Sequence, residues 1–286
     1  MLSWRKLASA KWEDAWIERL AFLGPTRLTI TSLPGSKSIR LEAWSLTKKE
    51  ATALVKEFGG QTRTVAAASW QKQELQTRAP INIRGRLLIV CNGQERTQIL
   101  KTRTTTKPKT DTPVLVIPPA MAFGTGEHAT TATCLRLLCD VLSHQPSTIN
   151  HQPFLDLGTG SGILALAAKL LGAGVVEAFD FDPHAVRTAK ENARLNGIRG
   201  VKFSRADVLT WKPARTWPVV AANLFSQVLI QAAPSIAHAV APGGTLILSG
   251  ILRAQKLETL AAFKKQKLRL EKAVGKGKWV TMQLRK

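Results

Sequence analysis

This sequence predicts an α/β protein: a doubly wound, mostly parallel sheet of seven strands closed by an antiparallel C-terminal hairpin, with a small α+β domain ahead of it. Three observations carry that expectation. From Val114 onward, strand-like apolar runs alternate with helical ones, which implies a parallel sheet covered on both faces. The end, "LRLEKAVGKGKWVTMQLRK", instead holds two strand-like runs around Gly275-Lys276-Gly277-Lys278, the pattern of a hairpin. The first part of the chain has its own compact mixture of short elements, and 286 residues exceed one ordinary small domain.

Taken in order, "WEDAWIERLAFL" sets Trp12, Trp16, Leu20 and Leu23 at helical spacing. "RLTITSL" and "SIRLEAW" alternate as half-buried strands around a turn at Pro34-Gly35, and "LTKKEATALVKEFGG" reads as a helix with a Gly stop. A third strand, "TRTVAAA", would complete a split βαβ arrangement. "SWQKQELQTRAPINIRGRLLIVCNG" reads as a connecting helix and an extended pair of strands, followed by "KTRTTTKPKTDTP", an exposed cationic loop without an apolar residue. The expected division is therefore a basic α+β domain over 1–68, a connecting segment over 69–112 and the large sheet domain over 113–286.

Within that last domain "FLDLGTGSG" is a buried strand with a glycine turn and "ILALAAKLLGA" a helix. "VVEAFDFD" is the next strand, and "PHAVRTAKENARLNG" is a helix with Pro at its first turn and Gly at its stop. The alternation continues through "VKFSRADVL", "PVVAANL", "FSQVLIQAAPSIAHAV", "GGTLILSGIL" and "AQKLETLAAFKKQ".

Composition narrows the function classes. Hydrophobic residues make up 44% and charged ones 21%, an ordinary globular balance, and no apolar run approaches the roughly 18 residues of a membrane span. The start has no apolar leader core, and Glu13, Asp14 and Glu18 argue against an acid-poor transit peptide, so a cytoplasmic, membrane-free protein is expected. Cys91, Cys134 and Cys139 have neither even count nor C-x-x-C spacing; reduced thiols and no metal site are expected. The net charge of +22 is uneven: residues 111–252 are nearly balanced, while both ends are strongly basic, which suits a polyanionic or acidic partner.

"MAFGTGEHATT", residues 121–131, lacks the Gly-Lys-Ser/Thr of a phosphate-binding loop. The stronger turn is Gly158, Gly160 and Gly162 in G-x-G-x-G, where the dinucleotide fingerprint would need Gly at Ile163, so NAD is disfavoured. The tighter spacing suits close backbone approach to an amino-acid moiety, such as the methionine end of S-adenosyl-L-methionine. Asp180 ends the next strand, where a carboxylate can accept both ribose hydroxyls; Asp182, two residues on, competes on the same strand face. Asn223 closes "VVAAN" at the carboxyl edge of the sheet, where its amide oxygen could orient an amine or its side chain could cap a helix. Phe225 could offer a ring face to a cation.

In order, "AFGTGEHATT", "FLDLGTGSGILALAA", "FDFDPHAVRTAKENARLNG", "VVAANL", "GGTLILSGIL" and "WVTMQLRK" resemble the blocks of the PrmA family, from about Trp70 to the end. That family methylates the ribosomal stalk-base protein L11. The resemblance implies a Rossmann-like, S-adenosyl-L-methionine-dependent methyltransferase with an N-terminal substrate-recognition domain, acting on α-amino and lysine nitrogens. Its cofactor contacts fall on Thr131, Gly158, Asp180 and Asn223, with Glu127 and Ala129 standing where the family's loop usually has Thr and Pro. The loop then reads as a lid, in which Gly124 and Gly126 let the backbone pass close to the ligand, Phe123 excludes water and His128 is a candidate base. Other lysine-bearing proteins or ribosomal RNA are alternative substrates, with RNA contact through the basic ends. A non-catalytic nucleic-acid-binding module is the alternative of a different class.

Overall fold

The computed structural model describes residues 2–23, 27–32, 36–64, 79–97, 99, 112–118, 126, 128–143 and 151–286. The chain divides into two compact units, the first within Met1–Gln76 and the second spanning Thr77–Ala120 and Gly124–Lys286.

The first unit runs β1 (Leu2–Ser9), α1 (Glu13–Arg19), β2 (Leu28–Ser32), β3 (Ser38–Leu46), α2 (Lys48–Phe58), β4 (Gln61–Thr64). Its sheet has the order β2-β3-β1-β4 with every neighbour antiparallel, the split βαβ arrangement with one strand more than the sequence suggests. The additional strand is β1, which lies between β3 and β4. Polar Ser3, Arg5 and Lys6 hide its alternation, yet Trp4 is fully buried and its indole N–H donates to the Gly59 carbonyl at 2.7 Å. Helix α2 opens on a capping box: the Glu50 N–H donates to Thr47 Oγ1 at 3.2 Å, and the Thr47 N–H donates to the Glu50 carboxylate at 2.8 Å. That backbone bond, with Arg27 beside it, pulls the Glu50 carboxyl down to about 2. The helix stops where Gly59 takes φ 67°, as its Gly signal predicts. Pro34-Gly35 and the residues of "TRTVAAA" beyond Thr64 lie outside the described residues.

The second unit holds β5 (Ile81–Ile83), β6 (Leu87–Val90), β7 (Val114–Val116), α3 (Ala129–Ser143), β8 (Phe154–Leu157), α4 (Ile163–Leu170), β9 (Val176–Asp180), α5 (Pro183–Leu195) and β10 (Val201–Arg205). It continues with β11 (Trp217–Asn223), α6 (Ser226–Gln231), α7 (Ala233–Ala239), β12 (Val240–Leu252), α8 (Lys256–Lys265), β13 (Arg269–Lys276) and β14 (Trp279–Arg285). The seven-stranded sheet has the order β10-β9-β8-β11-β12-β14-β13, with every neighbour parallel except the two pairs made by β14, which alone runs against the rest. The two-residue hairpin turn is Gly277-Lys278, with Gly277 at φ 60°.

Period-two alternation sorts the strands' side chains onto two cores. Phe154, Ala178, Val219, Ala221 and Ile247 pack with α3 and α4 on one face. Leu155, Leu157, Val220, Ala222, Leu246 and Leu248 pack with α6, α7 and α8 on the other. "FSQVLIQAAPSIAHAV", read as one helix, is two: Pro234 in the first turn of α7 has no N–H to continue α6, so the chain breaks at Ala232.

Within the segment expected to connect the domains, β5 and β6 pair with each other and β6 pairs with β7 of the following domain, building the small sheet β5-β6-β7. Ile83, Leu87, Ile89 and Leu115 belong to the same core as α3. Asn196 fastens it by accepting the Val116 N–H and donating to the Val116 carbonyl, both at 2.7 Å. The cationic loop of 101–111 lies outside the described residues. The three cysteines form no disulfide: Cys134 and Cys139 are buried thiols, pushed up to about 12 and about 11 by desolvation, and Cys91 is a half-buried thiol. No described helix is long and apolar enough to cross a membrane.

Candidate active site

In the large sheet the chain runs from β8 outward through β9 to β10, then returns to the other side of β8 as β11. The gap beyond the carboxyl ends of β8 and β11 is thus a topological switch point, where open α/β sheets bind ligands. The glycine turn stands there because three residues must take left-handed backbone: Gly158 at φ 71°, Gly160 at φ 54° and Gly162 at φ 83°. The N–H groups of Gly158 and Thr159 both donate to the Phe179 carbonyl, at 2.9 and 3.0 Å, which ties the turn to β9. A Cβ on Gly158 would strike the Leu224 side chain, and one on Gly250 would strike the Leu224 carbonyl. The turn carrying Asn223, Leu224 and Phe225 is therefore seated between two glycines.

Asp180 is the last residue of β9 and is 8% exposed. One carboxylate oxygen accepts the Gly160 N–H and the other the Asp182 N–H, each at 3.0 Å, while burial raises its pKa. Asp182 lies beyond the strand end, contrary to the expectation that both acids share a strand face. It caps α5 by accepting the His184 N–H at 2.8 Å.

Asn223 ends β11 and donates from Nδ2 to Thr131 Oγ1 at 3.4 Å, bringing the first turn of α3 to the strand edge. Its Oδ1 is buried with no hydrogen-bond partner among the described residues, which costs free energy unless a ligand supplies a donor. The alternative of Asn223 as a helix cap does not hold: the N-cap of α6 is Phe225, which is 41% exposed and makes no side-chain cap.

His128 precedes α3. Its Nδ1 lies 2.7 Å from Thr130 Oγ1 and accepts the Thr130 N–H at 3.4 Å, while its ring stands edge-on to Trp279 at 5.1 Å. The nitrogen toward Thr130 is thus engaged at the helix start. Gly126 is buried at φ 92°, and a Cβ there would press on Ile163, Ile81 and Ile89. Backbone conformation and isoleucine packing both call for glycine there. Phe123, Gly124 and Glu127, the rest of the expected lid, lie outside the described residues.

Two residues here escape the sequence reading. Asn192 donates to the Ser161 carbonyl at 2.8 Å and so braces the glycine turn from α5. Asp156, fully buried in β8, accepts the Thr159 hydroxyl at 2.7 Å. Burial, with Asp180's charge adding to it, pushes its carboxyl up to about 7. A lone acid inside the otherwise apolar "FLDL" is the signal that could have found it. Because the folded value lies above the unfolded one, the native state holds the extra proton, and stability falls as pH rises from about 4 toward about 7. Asp156→Asn is expected to flatten that slope in urea unfolding across this range, since a tenfold difference in proton affinity between folded and unfolded chains corresponds to about 1.4 kcal/mol. Parallel slopes in wild type and variant would show that the carboxyl is ionised in the fold.

A family model described as ribosomal protein L11 methyltransferase (PrmA) matches residues 9–286, a span that takes in most of the first unit as well as the site. The chain belongs to that family. Relatives from the L11 methyltransferase family include the Pelobacter propionicus protein, 37% identical over 78% of this chain and 68% of its own length. The Rhizobium meliloti protein is 34% identical over 85% of this chain and 81% of its own. Among solved structures, a ribosomal protein L11 methylase from Lactobacillus delbrueckii subsp. bulgaricus superposes with a TM-score of 0.60 at 25% identity, covering 72% of this chain and 98% of that one.

Proposed function

We propose that this L11 methyltransferase family member transfers methyl groups from S-adenosyl-L-methionine to amine nitrogens of ribosomal protein L11. The observation that carries the reading is the buried, unpartnered Oδ1 of Asn223, held beside Thr131 at the switch point. Family membership supports the substrate, since the relatives carry that name.

The residues present fit the cofactor. Gly158 and Gly162 leave no room for side chains, Asp180 keeps lone pairs for ribose hydroxyls beyond its two backbone bonds, and Thr131 is buried next to Asn223. When bound, S-adenosyl-L-methionine supplies an electrophilic methyl on a sulfonium. The acceptor amine must be neutral, so a lysine with an unperturbed pKa of about 10.4 sheds its proton before attack. Asn223 Oδ1 accepts an N–H of that amine, aims its lone pair and stays hydrogen-bonded as positive charge grows on nitrogen. Phe225, exposed at the same turn, offers a ring face to the cation. The proton leaves to water, and Nδ1 of His128 is engaged at Thr130. The basic region over 1–68 is assigned to substrate recognition, and the cationic ends favour contact with ribosomal RNA around the substrate.

Asp180→Ala is expected to weaken S-adenosylhomocysteine binding at least tenfold in calorimetric titration, each lost charge-assisted bond being worth about 1.5–3 kcal/mol. Unchanged affinity in a folded variant would remove the ribose role. Failure of the wild type to bind would favour a non-catalytic module instead.

A further inference from the structure

Both edges of the large sheet carry exposed cations. At the β10 edge, Lys202 and Arg215 share Glu177, at 3.7 and 3.0 Å. At the β13 edge six cations follow one another, and four of them have no acid to meet among the described residues. Lys264 and Lys265 end α8, Lys267 lies in the connecting turn, and Arg269, Lys272 and Lys276 follow along β13; all six are exposed. The one acid among residues 259–276, Glu271, is taken by Arg285 at 3.0 Å and Gln283 at 3.1 Å. Lys272 pairs with Asp140 at 3.7 Å, and Arg269 reaches Glu271 at 4.0 Å. Lys264, Lys265, Lys267 and Lys276 have no ion-pair partner among the described residues.

We propose that this edge is a binding strip for the phosphodiester backbone of RNA. The choice of RNA among polyanions rests on the ribosomal reading above; the strip itself rests on charge and geometry. Eight residues of β13 span about 25 Å, a line of point charges suited to successive phosphates rather than to one anion. Five of the six cations are lysines, which meet phosphates as point charges, whereas planar bidentate recognition of carboxylates favours Arg. Leu270 and Val274 of the same strand turn into the two cores, so β13 itself exposes no large apolar side chain of the kind a protein partner needs; Leu257, 77% exposed, stands at the other end of α8 from Lys264 and Lys265. Edge lysines also discourage strand pairing between molecules, but that role ends with the strand, while the cations continue through the turn into α8.

The test compares a fourfold variant, Lys264→Gln, Lys265→Gln, Lys267→Gln and Lys276→Gln, with a control that removes four exposed cations elsewhere, Lys190→Gln, Arg194→Gln, Arg199→Gln and Lys202→Gln. A short fluorescein-labelled RNA hairpin is titrated by anisotropy over a range of salt concentrations, with melting temperature as the folding check. The strip variant is expected to bind at least tenfold more weakly near 0.1 M salt, with a slope of log affinity against log salt flatter by about 2–3. The control should stay close to wild type. Should the fourfold variant melt early, Lys267→Gln with Lys276→Gln is expected to flatten the slope by about 1–2. Equal losses in strip and control would mean that only net charge matters, and unchanged binding would remove the strip. Competition by polyglutamate as effective as RNA at equal charge would assign the edge to an acidic polypeptide instead. Methyl transfer to isolated L11, measured on the same variants, should be unchanged. Its absence from the wild type with RNA binding intact would count against the proposed function alone, and lost RNA specificity with transfer intact against the strip alone.

Discussion

Asn223→Ala should lower turnover by about ten- to a hundredfold, with cofactor affinity changed much less. The magnitude follows from losing one hydrogen bond to a nitrogen that becomes cationic, about 1.5–3 kcal/mol, at 1.36 kcal/mol per decade of rate. Stability should hardly fall, because the removed acceptor has no partner among the described residues and only the 3.4 Å contact to Thr131 is lost with it. The informative readout is single-turnover rate at saturating cofactor, with S-adenosylhomocysteine affinity measured alongside. A variant that turns over at the wild-type rate would show that the orphaned oxygen serves no transition state.

Gly158→Ala should do more damage, to fold and activity together. A non-glycine residue at φ 71° costs about 1–2 kcal/mol, and the new methyl meets the Leu224 side chain, whose displacement drags Asn223 with it. Turnover should drop beyond detection in ordinary assays, and the melting temperature should fall by several degrees. A double-mutant cycle separates the two causes. If the clash matters, Gly158→Ala with Leu224→Ala should be less destabilised than the sum of the single changes. Strict additivity would leave backbone strain as the whole effect and would detach Leu224 from the positioning of Asn223.

Much of the second unit is legible because the central strands β8, β11 and β12 are buried on both faces and separated by Gly and Pro signals. The G-x-G-x-G turn and Asp180 at a strand end could be placed from spacing alone, since strand period and helix start leave little freedom between them. What escapes is polar residues whose role is set by burial or by a partner far along the chain. Asn196 clamps Val116 across 80 residues, and nothing near it announces the contact. Asp156 looks like a strand residue until its burial is known. Strand β1 hides behind Ser3, Arg5 and Lys6 because its buried side is decided by β3 and β4, not by its own alternation. The competition between Asp180 and Asp182 turned on where β9 stops, a boundary that pattern reading places only to within a few residues.

The measurement that bears most directly on the central claim is transfer of label from methyl-labelled S-adenosyl-L-methionine to isolated ribosomal protein L11, with the remaining large-subunit proteins and bare ribosomal RNA as parallel acceptors. Label confined to L11 amines, slowed with Asn223→Ala and lost with Gly158→Ala, is the predicted result. Label on RNA or on another protein, with L11 untouched, would contradict it.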